Sequence, residues 1–350
     1  MKICHILWGL TYGGIETMVI NIANCQAAMG HDVHLVIVND MVDAPLLAHI
    51  ADGVTFHNAR RRVGSKNPWP LMRLNLLLWR LRPDVTHFHH VRLHNYFLRP
   101  LLGRWCTTHH IDCVPHLLPY IKGNPNLFSI SNMVREDILR HTGADSVVVM
   151  NGIDSSEFRV KELPYSGGRP LRIVQVGRLD IAQKGQDLLV DAVAILRDRG
   201  VAVTVDFIGE GRSRDELEAR IGSRGVADRV TLLGARPPEY IARNLCDYDL
   251  LVQPSRFEGF GLTIAEGMAA GVPVLVSDID VQLEVTDHGR CGYTFRSGDT
   301  ADLADAIARI VAGYDMSRAR EALQLVRSAY DVRVTAARYI GQYRRIIAED

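Results

Sequence analysis

The chain alternates short apolar runs, rich in β-branched residues, with longer amphipathic stretches, and it does so twice. In the first half, the pattern predicts a strand at "KICHILW", a helix at "GIETMVINIANCQAAMG" and the next strand at "DVHLVIVN". In the second half it predicts strands at "LRIVQVG", "VTVDFIG", "DLLVQPS" and "PVLVSD", with helical segments between them. This alternation is typical of βαβ units that build a parallel sheet. We therefore predict an α/β fold with two such sheets facing each other across a ligand-binding cleft.

The length of 350 residues suits two domains, each large enough to bury its own core. The stretch "VKELPYSGGRP", rich in proline and glycine, falls between the two halves and predicts the linker. We place the first domain at residues 1–162 and the second at residues 163–330. A hydrophobic content of 47% and a charged content of 23%, without a low-complexity tract, exclude a disordered chain.

The first residues and the cysteines bear on the cellular compartment. The apolar run in "MKICHILWGLTYGG" is too short for a secretory signal, and no run reaches the roughly 18 residues of a spanning helix. The six cysteines include no CxxC pair and lie mostly in apolar runs, which favours buried, reduced thiols. We expect a cytoplasmic protein.

The stretch "RFEGFGLTIAE" places Glu258 and Glu266 on either side of a Gly-Phe-Gly turn. Gly259 and Gly261 allow a bent backbone, and the apolar run from Leu262 predicts a helix whose free N–H groups attract an anion. Carboxylates are poor phosphate ligands but good acceptors for pairs of hydroxyls. The pattern therefore indicates a ligand with a diol on each side of a diphosphate, as in a nucleotide-sugar.

Two cations follow the strand "LRIVQVG": Arg178 and, six residues later, Lys184. On one loop beyond a strand end, they could clamp adjacent phosphates, Arg by its planar fork and Lys as a point charge. An isolated pair would more simply be two solvated charges, but the nearby Glu258 and Glu266 favour the clamp. The two glutamates could instead be the acid and base of a glycoside hydrolase. That alternative leaves Arg178 and Lys184 without an anionic substrate.

Glycines between the first strand and the first helix suggest a further contact. At Gly13 and Gly14, backbone amides can approach a phosphate or a sugar, although a tight turn is the simpler interpretation. No GxGxxG motif is present, so a plain dinucleotide site is not indicated.

Histidines are concentrated in one region of the first half. His90 and His94 have metal-ligand spacing if helical, but no cysteine or acid is in register, which favours solvated or core histidines. His109, in "TTHH", could face the cleft from a strand end and hydrogen-bond a sugar or move a proton. Half of the fourteen histidines fall within thirty residues: His87, His89, His90, His94, His109, His110 and His116.

The segment "PWPLMRLNLLLWRLRP" predicts a helix with two apolar stripes that point roughly 160° apart, so one core cannot bury both. Residues 60–104 carry ten basic side chains against Asp84 alone. We expect the second stripe to contact an anionic membrane surface or a lipid-linked acceptor, with burial by other helices or a dimer contact as nearly equal alternatives. A nucleic-acid partner is not expected. The stripes are Leu71, Leu74, Leu78 and Leu81, and Trp69, Met72, Leu76 and Trp79.

Several motifs together resemble those of the retaining glycosyltransferases of glycosyltransferase family 4. In order, they include "YGGIETMVINIA", "LRPDVTHFH", "FSISNMVREDIL", "VVVMNGIDSSEF", "VGRLDIAQKGQDLLVDA", "FIGEGRSRDELE" and the E-x7-E signature "EGFGLTIAE". The likeness covers almost the whole chain. It implies the GT-B fold, with two facing Rossmann-like domains and a C-terminal helix, residues 331–350, that crosses back to the N-terminal domain. That domain would bind the acceptor, and the C-terminal domain would bind the nucleotide-sugar donor.

The resemblance also implies roles for single residues. Glu258 would bind hydroxyls of the transferred sugar, Glu266 the ribose, and Arg236 would lie near the base. His109 would lie beside the reacting sugar, although His110 matches the family's histidine as well. The implied catalytic residues are His109, Glu258, Arg178 and Lys184, and the implied donor-binding residues are Gly13, Gly14, Arg178, Lys184, Arg236, Glu258, Gly259, Phe260, Gly261, Leu262 and Glu266.

The activity that the resemblance implies is metal-independent transfer of a sugar, with retention, from a UDP- or GDP-sugar to a hydroxyl of a glycan or polyprenyl-linked acceptor. Assembly of a bacterial surface polysaccharide is the expected context. The sequence "IDVQLE" departs from the usual family pattern after "VSD", which leaves the donor sugar open. The alternatives are a sugar-nucleotide epimerase or phosphorylase on the same fold, and a non-catalytic nucleotide-sugar-binding partner.

Overall fold

The computed structural model describes residues 1–11, 13–110 and 118–349. The chain forms two compact units. The first comprises Met1–Ile153 and Ala329–Asp350, and the second comprises Asp154–Ser328.

Within its described residues, the first unit contains a seven-stranded parallel sheet with the order β3-β2-β1-β4-β5-β6-β7. Both faces of this sheet are covered, so its central strands are buried along nearly their whole length, including polar residues such as His5 and His87. The strands are β1 (Lys2–Leu7), β2 (Asp32–Asn39), β3 (Val54–Arg61), β4 (Val85–Phe88), β5 (Arg104–His109), β6 (Leu127–Ser129) and β7 (Val147–Val148). The helices of this part of the chain are α1 (Gly14–Ala28), α2 (Ala44–Leu47), α3 (Trp69–Leu81), α4 (Leu118–Lys122) and α5 (Asn132–Thr142).

The second unit contains a six-stranded parallel sheet with the order β10-β9-β8-β11-β12-β13. Its main apolar core joins the strands to α7 and α12. The strands are β8 (Leu171–Val176), β9 (Val203–Ile208), β10 (Val230–Gly234), β11 (Leu250–Gln253), β12 (Val274–Ser277) and β13 (Tyr293–Phe295). The helices are α6 (Ile181–Lys184), α7 (Gln186–Asp198), α8 (Arg214–Arg224), α9 (Pro238–Asn244), α10 (Leu262–Ala269), α11 (Asp280–Val285), α12 (Thr300–Ala312) and α13 (Ser317–Leu325).

The last helix, α14 (Val332–Ala348), belongs to the first unit, as the resemblance implies. It packs against α1, and its buried Tyr339 and Tyr343 lie in the same apolar cluster as Ile3 and Leu35 of the sheet. The Thr335 hydroxyl also donates a hydrogen bond of 3.0 Å to the Met150 carbonyl. The chain therefore returns to the first unit to cover one face of its sheet.

The division between the units lies after Ile153 rather than after residue 162, where the linker composition placed it. Residues beyond Ile153 already bond to the second unit. The Arg159 N–H donates to the Ala242 carbonyl at 3.0 Å, and the Lys161 N–H donates to the Ala270 carbonyl at 2.8 Å. Proline and glycine mark an irregular segment there, but these hydrogen bonds decide which unit holds it.

A membrane-spanning helix is absent from the described ranges, because no helix in them is both long and apolar enough.

Candidate functional site

A lysine and a glutamate from separate segments meet in the second unit. Lys184 ends α6, and Glu258 lies in the loop between β11 and α10. The Lys184 Nζ is 2.5 Å from the Glu258 Oε1, and only 16% and 7% of the two side chains are exposed. Gly185 allows this approach, because its φ is 66° and a Cβ there would overlap the carbonyl oxygen of Pro254. The segment that carries Lys184 and the loop that carries Glu258 are therefore in contact at these two charged side chains.

Glu258 also accepts hydrogen bonds from its own segment. The Ser255 hydroxyl donates at 2.9 Å and the Gln253 amide at 3.3 Å, and both reach the same Oε1 that Lys184 contacts. Within the part of the chain that the structure describes, Oε2 is left for a further donor. A sugar hydroxyl would be a suitable one.

Arg256 ties the glutamate loop to the loop that carries Lys184. Its guanidinium donates to both carboxylate oxygens of Asp187, at 2.9 and 2.8 Å, and to the Ile181 carbonyl at 2.7 Å. Its backbone N–H donates to the Gln183 carbonyl at 2.8 Å. Sequence reasoning assigned no role to Arg256 or Asp187. A charged residue two positions before the signature motif was the available signal, but its partner could not be identified from sequence spacing.

Arg178 is exposed on the loop after β8, beside the same short helix. Its Nη2 donates at 3.1 Å to the Oε1 of Gln183, the residue before Lys184. The loop is tightly built, because Gly177 has a φ of 148° and a Cβ on Gly209 would overlap its carbonyl oxygen. The predicted pair of cations therefore lies on one loop, and the described hydrogen bond of Arg178 goes to a neutral amide.

The predicted helix start after the Gly-Phe-Gly turn is α10. Gly261 precedes it with a φ of 95°, a conformation that favours glycine, and Phe260 is buried. Glu266 lies one turn into the helix and is partly exposed. Burial of its carboxyl raises the pKa from 4.5 to about 7.

Arg236, which the resemblance places near the base, is exposed after β10. Its guanidinium lies over the ring of Tyr240, 5.4 Å from the centroid. Among the described contacts it makes none with Lys184 or Glu258, so the structure does not bring it into that cluster.

The predicted glycines and histidines lie in the first unit. Gly13 precedes α1 with a φ of −166°, which any residue adopts, and Gly14 is the first helical residue. Both are exposed. His109 ends β5 and His110 follows it, and both are buried. The Nε2 of His110 lies 3.3 Å from the Nδ1 of His89.

The spacing of His90 and His94 does not create a shared helical face. His94 lies in a 3₁₀ turn, Leu93–Tyr96, and its ring stacks on that of Trp105 with the centroids 4.9 Å apart. His90 precedes that turn, and its ring is edge-on to that of Trp8. His94 is therefore a core histidine. His116, in the same predicted cluster, lies outside the described residues.

Helix α3 shows the two stripes that the sequence predicts. Leu74 and Leu78 are buried against the sheet. The other stripe remains exposed in the first unit, with Trp69, Met72, Leu76 and Trp79 between 45% and 66% exposed.

Comparison with known proteins identifies the family. A family model described as "Glycosyltransferase Family 4" matches residues 12–157, and one described as "Glycosyl transferases group 1" matches residues 170–313. The chain belongs to the family 4 glycosyltransferases. It is therefore an enzyme that transfers sugars.

Several curated relatives of this glycosyltransferase are themselves glycosyltransferases. The alpha-D-kanosaminyltransferase of Streptomyces kanamyceticus is 31% identical over 180 residues, 51% of this chain and 46% of that one. The phosphatidyl-myo-inositol mannosyltransferase of Mycobacterium leprae is 24% identical over 360 residues, 95% and 93% of the two chains. The amylovoran biosynthesis glycosyltransferase AmsK of Erwinia amylovora is 31% identical over 172 residues, 47% and 42%. The matches thus span less than half the length of two relatives and nearly all of the third.

Solved structures agree on the fold of the glycosyltransferase. The Anabaena protein HepE, in complex with UDP and glucose, matches it with a TM-score of 0.80 and 20% identity over 99% of both chains. A glycosyltransferase from Rickettsia africae matches with a TM-score of 0.82 and 18% identity, over 100% of this chain and 99% of that one. The predicted fold class, GT-B, is confirmed.

Proposed function

We propose that this glycosyltransferase moves a sugar, with retention of anomeric configuration, from a UDP- or GDP-sugar to a hydroxyl of a glycan or polyprenyl-linked acceptor. The observation that carries the proposal is the contact between Lys184 and Glu258, with Arg178 on the same loop and Glu266 one turn into α10. The cluster offers cations for a diphosphate beside carboxylates for hydroxyls, the two chemical halves of a nucleotide-sugar.

The diphosphate would be held by Arg178, Lys184 and the first amides of α10. Breaking the bond between the sugar and the phosphate puts negative charge on the leaving diphosphate. Fixed cations and helix N–H groups stabilise that charge without having to reorganise. Among the described residues, the Arg178 guanidinium donates to a neutral amide and interacts only at longer range with Asp180, so its remaining N–H groups are available to a phosphate.

The two carboxylates would orient the donor by its hydroxyls. Glu258 is fixed at Oε1 by three donors, which aims Oε2 at a hydroxyl of the transferred sugar. Glu266 would accept from the ribose hydroxyls, which bind best to its ionised form. Retention would follow from attack on the face that the diphosphate leaves, within a short-lived ion pair. This scheme assigns no step to a metal ion.

We further propose that the exposed stripe of α3 contacts an anionic membrane surface that holds the acceptor. Four large apolar side chains are exposed there, and Arg73 and Arg80 on the same helix are exposed as well. Such a face can insert its tryptophans between lipids while its arginines pair with headgroups. This role suits an enzyme of the cytoplasmic side that assembles a bacterial surface polysaccharide. The phosphatidyl-myo-inositol in the name of the M. leprae relative and the amylovoran biosynthesis in the name of AmsK support this context.

The donor is tested by thermal unfolding of the protein with UDP-glucose, GDP-mannose and ADP-glucose. A specific donor raises the melting temperature by mass action. The shift should be lost in Lys184→Ala and kept in Arg199→Ala, whose ion pair with Asp305 lies on the surface. Equal shifts with all three donors would contradict a built nucleotide-sugar site.

The reaction is tested with the labelled donor from that screen. Transfer of label to a polyprenyl-linked glycan, with the donor's anomeric configuration in the product, is the expected result. Formation of an epimeric nucleotide-sugar without any acceptor would favour the epimerase alternative. Inversion in the product would overturn the retaining scheme.

A further inference from the structure

Four histidines and one glutamine meet in the interior of the first unit. His5 lies on β1 and His87 on β4, directly opposite each other in the parallel register. His89 follows β4, His110 follows β5, and Gln26 lies on α1 above this face of the sheet. All five side chains are at least nine-tenths buried.

Gln26, His5, His89 and His110 form one hydrogen-bonded chain. The Gln26 Oε1 is 2.8 Å from the His5 Nε2, and the His5 Nδ1 is 3.0 Å from the His89 Nε2. The His89 Nδ1 is in turn 3.3 Å from the His110 Nε2. His87 supports the chain from the side, because its ring lies 4.2 Å from that of His89 and bonds to the hydroxyls of Tyr343 and Thr108.

Burial keeps these rings uncharged. It lowers the pKa of His5 to about 4 and that of His110 to about 3, and it holds the pKa values of His87 and His89 well below 6.5. The titratable neighbours of the chain are Tyr339 and Tyr343 on α14, and His90 and His109 beside His110. A neutral imidazole carries one N–H and one bare nitrogen, so each ring in the chain can donate one hydrogen bond and accept one.

The direction of the chain follows from its first member. With the Gln26 Oε1 facing His5, as in the structure, the His5 Nε2 carries a hydrogen and the His5 Nδ1 accepts from the His89 Nε2–H. The His89 Nδ1 then accepts from the His110 Nε2–H. The last ring, that of His110, therefore has no hydrogen on its Nδ1. That atom is buried and has no hydrogen-bond partner within the residues that the structure describes. The opposite orientation of the Gln26 amide, whose Nε2 is also buried without a described partner, would reverse the chain and is the alternative that the tautomer measurement below separates.

A buried acceptor without a donor is unfavourable unless a ligand supplies the donor. His110 lies just beyond the carboxyl end of β5, the edge at which parallel sheets bind their ligands. We propose that Gln26, His5 and His89 are positioning residues that fix the tautomer of His110, so that its Nδ1 accepts a hydrogen bond from a substrate hydroxyl. The hydroxyl would belong to the transferred sugar or to the acceptor, and in this respect the proposal rests on the proposed function.

The tautomers can be read directly from the full-length protein labelled with ¹⁵N at histidine. Long-range ¹H–¹⁵N spectra between pH 5.5 and 8.5, assigned with single histidine variants, should show His5, His89 and His110 neutral with the hydrogen on Nε2. A hydrogen on the Nδ1 of His110, or titration of His89 in this range, would overturn the proposal. Because no substrate is needed, this outcome does not depend on the proposed donor or acceptor.

Metal analysis of the same sample tests whether this histidine cluster binds a metal ion instead. One nitrogen each of His5, His87 and His89 lies within 4.8 Å of the others, a spacing that a metal ion could also bridge. One equivalent of zinc or another transition metal, lost in His89→Phe, would replace the hydrogen-bonded chain and overturn the proposal. A metal-free protein with the expected tautomers supports it.

Kinetics with the donor chosen by the thermal screen then test the link to the reaction. Gln26→Leu and His110→Phe should each lower kcat/KM about tenfold, as expected when one hydrogen bond to a substrate is lost. The double variant should be no slower than His110→Phe alone, because both changes remove the same interaction. Multiplicative losses would show a merely structural role for Gln26. An increase in the KM of the donor or of the acceptor tells which substrate supplies the hydroxyl.

Two control variants separate this effect from general damage. Gln26→Glu keeps an oxygen acceptor for the His5 Nε2 and should retain most of the activity. His57→Gln changes the separate histidine pair of β2 and β3, in which the His34 Nδ1 is 3.0 Å from the His57 Nε2. It should leave the kinetics unchanged. A loss in His57→Gln equal to that in Gln26→Leu would contradict the specific role of the chain.

Discussion

The two units of this glycosyltransferase hold polar side chains at their strand ends in opposite ways. The second unit uses full charges in pairs: Lys184 with Glu258, and Arg256 with Asp187. The first unit uses neutral imidazoles that bond to one another, to amides and to hydroxyls. Paired charges suit the proposed diphosphate site, whereas a neutral chain orients a single ring without attracting an anion to it. The difference predicts distinct responses to mutation, acid and ligand.

The largest expected effect is on catalysis in the second unit. Lys184→Ala should lower kcat/KM on the order of a hundredfold or more, because it removes a cation from the leaving diphosphate and leaves Glu258 without its partner. Arg178→Ala should have a similar effect. Steady-state kinetics of the purified variants, with Arg199→Ala as the control, check this. Near-normal rates in both variants, with the fold intact by circular dichroism, would remove the pair from the mechanism.

Acid should destabilise the first unit before the second. The pKa of His5 is lowered to about 4. Below pH 6.5 the unfolded chain therefore binds a proton at this histidine that the folded chain does not bind. By linkage, this histidine alone lowers the free energy of unfolding by about 2 kcal/mol between pH 7 and pH 5. All four tryptophans (Trp8, Trp69, Trp79 and Trp105) lie in the first unit, so urea unfolding followed by their fluorescence reports on it.

Carboxylates of the second unit respond at lower pH. Burial opposes ionisation of Asp249, but hydrogen bonds from Arg169, the Arg172 N–H and Lys161 outweigh it, and its pKa lies below 3.8. The stability that Asp249 contributes is therefore lost only as the pH falls below about 4.

The urea concentration at the midpoint of unfolding, followed by tryptophan fluorescence, should be lower at pH 5 than at pH 7. His5→Gln should make this difference smaller. An unchanged midpoint would contradict the neutral state of the histidine chain.

Donor affinity should depend on pH through Glu266. Its pKa is about 7 without ligand, and ribose hydroxyls would favour the ionised form. Affinity should therefore increase about tenfold from pH 6 to pH 8, since the ionised fraction rises by that factor. Calorimetric titration with the nucleotide-sugar, whose diphosphate stays ionised in this range, measures it. Glu266→Gln should bind more weakly and without this slope, and an identical slope in the variant would assign the titration to another group.

The smallest effect concerns the exposed face of α3. Arg80→Ala should weaken binding to vesicles containing phosphatidylglycerol about fivefold, the order of 1 kcal/mol per basic residue at an anionic surface. Co-sedimentation at increasing salt measures it, and added salt should weaken binding of the unaltered protein too. Arg296→Ala, on the second unit, serves as the control. Equal binding by Arg80→Ala would leave the stripe without a lipid role.

The geometry of the second unit's motifs was predictable because each motif lies within one short segment. Arg178 and Lys184 lie on one loop, and the turn before Leu262 needs glycine whatever surrounds it. The fold class could also be predicted from the sequence, because the alternation of apolar runs with amphipathic stretches indicates which segments become strands of a parallel sheet. The boundary between the units could not be predicted, because the hydrogen bonds of Arg159 and Lys161 to carbonyls far along the chain decide it.

The sequence alone determined that this chain builds two parallel α/β sheets and that a glycine-bent helix start lies between two glutamates. Only the tertiary structure decided that Lys184 meets Glu258 across 74 residues and that His5 meets His89 across 84. The physical reason is that strand order and register, rather than spacing along the chain, bring such side chains together. A buried polar group then takes the partner that the packed sheet offers, because leaving it unpaired away from water is costly.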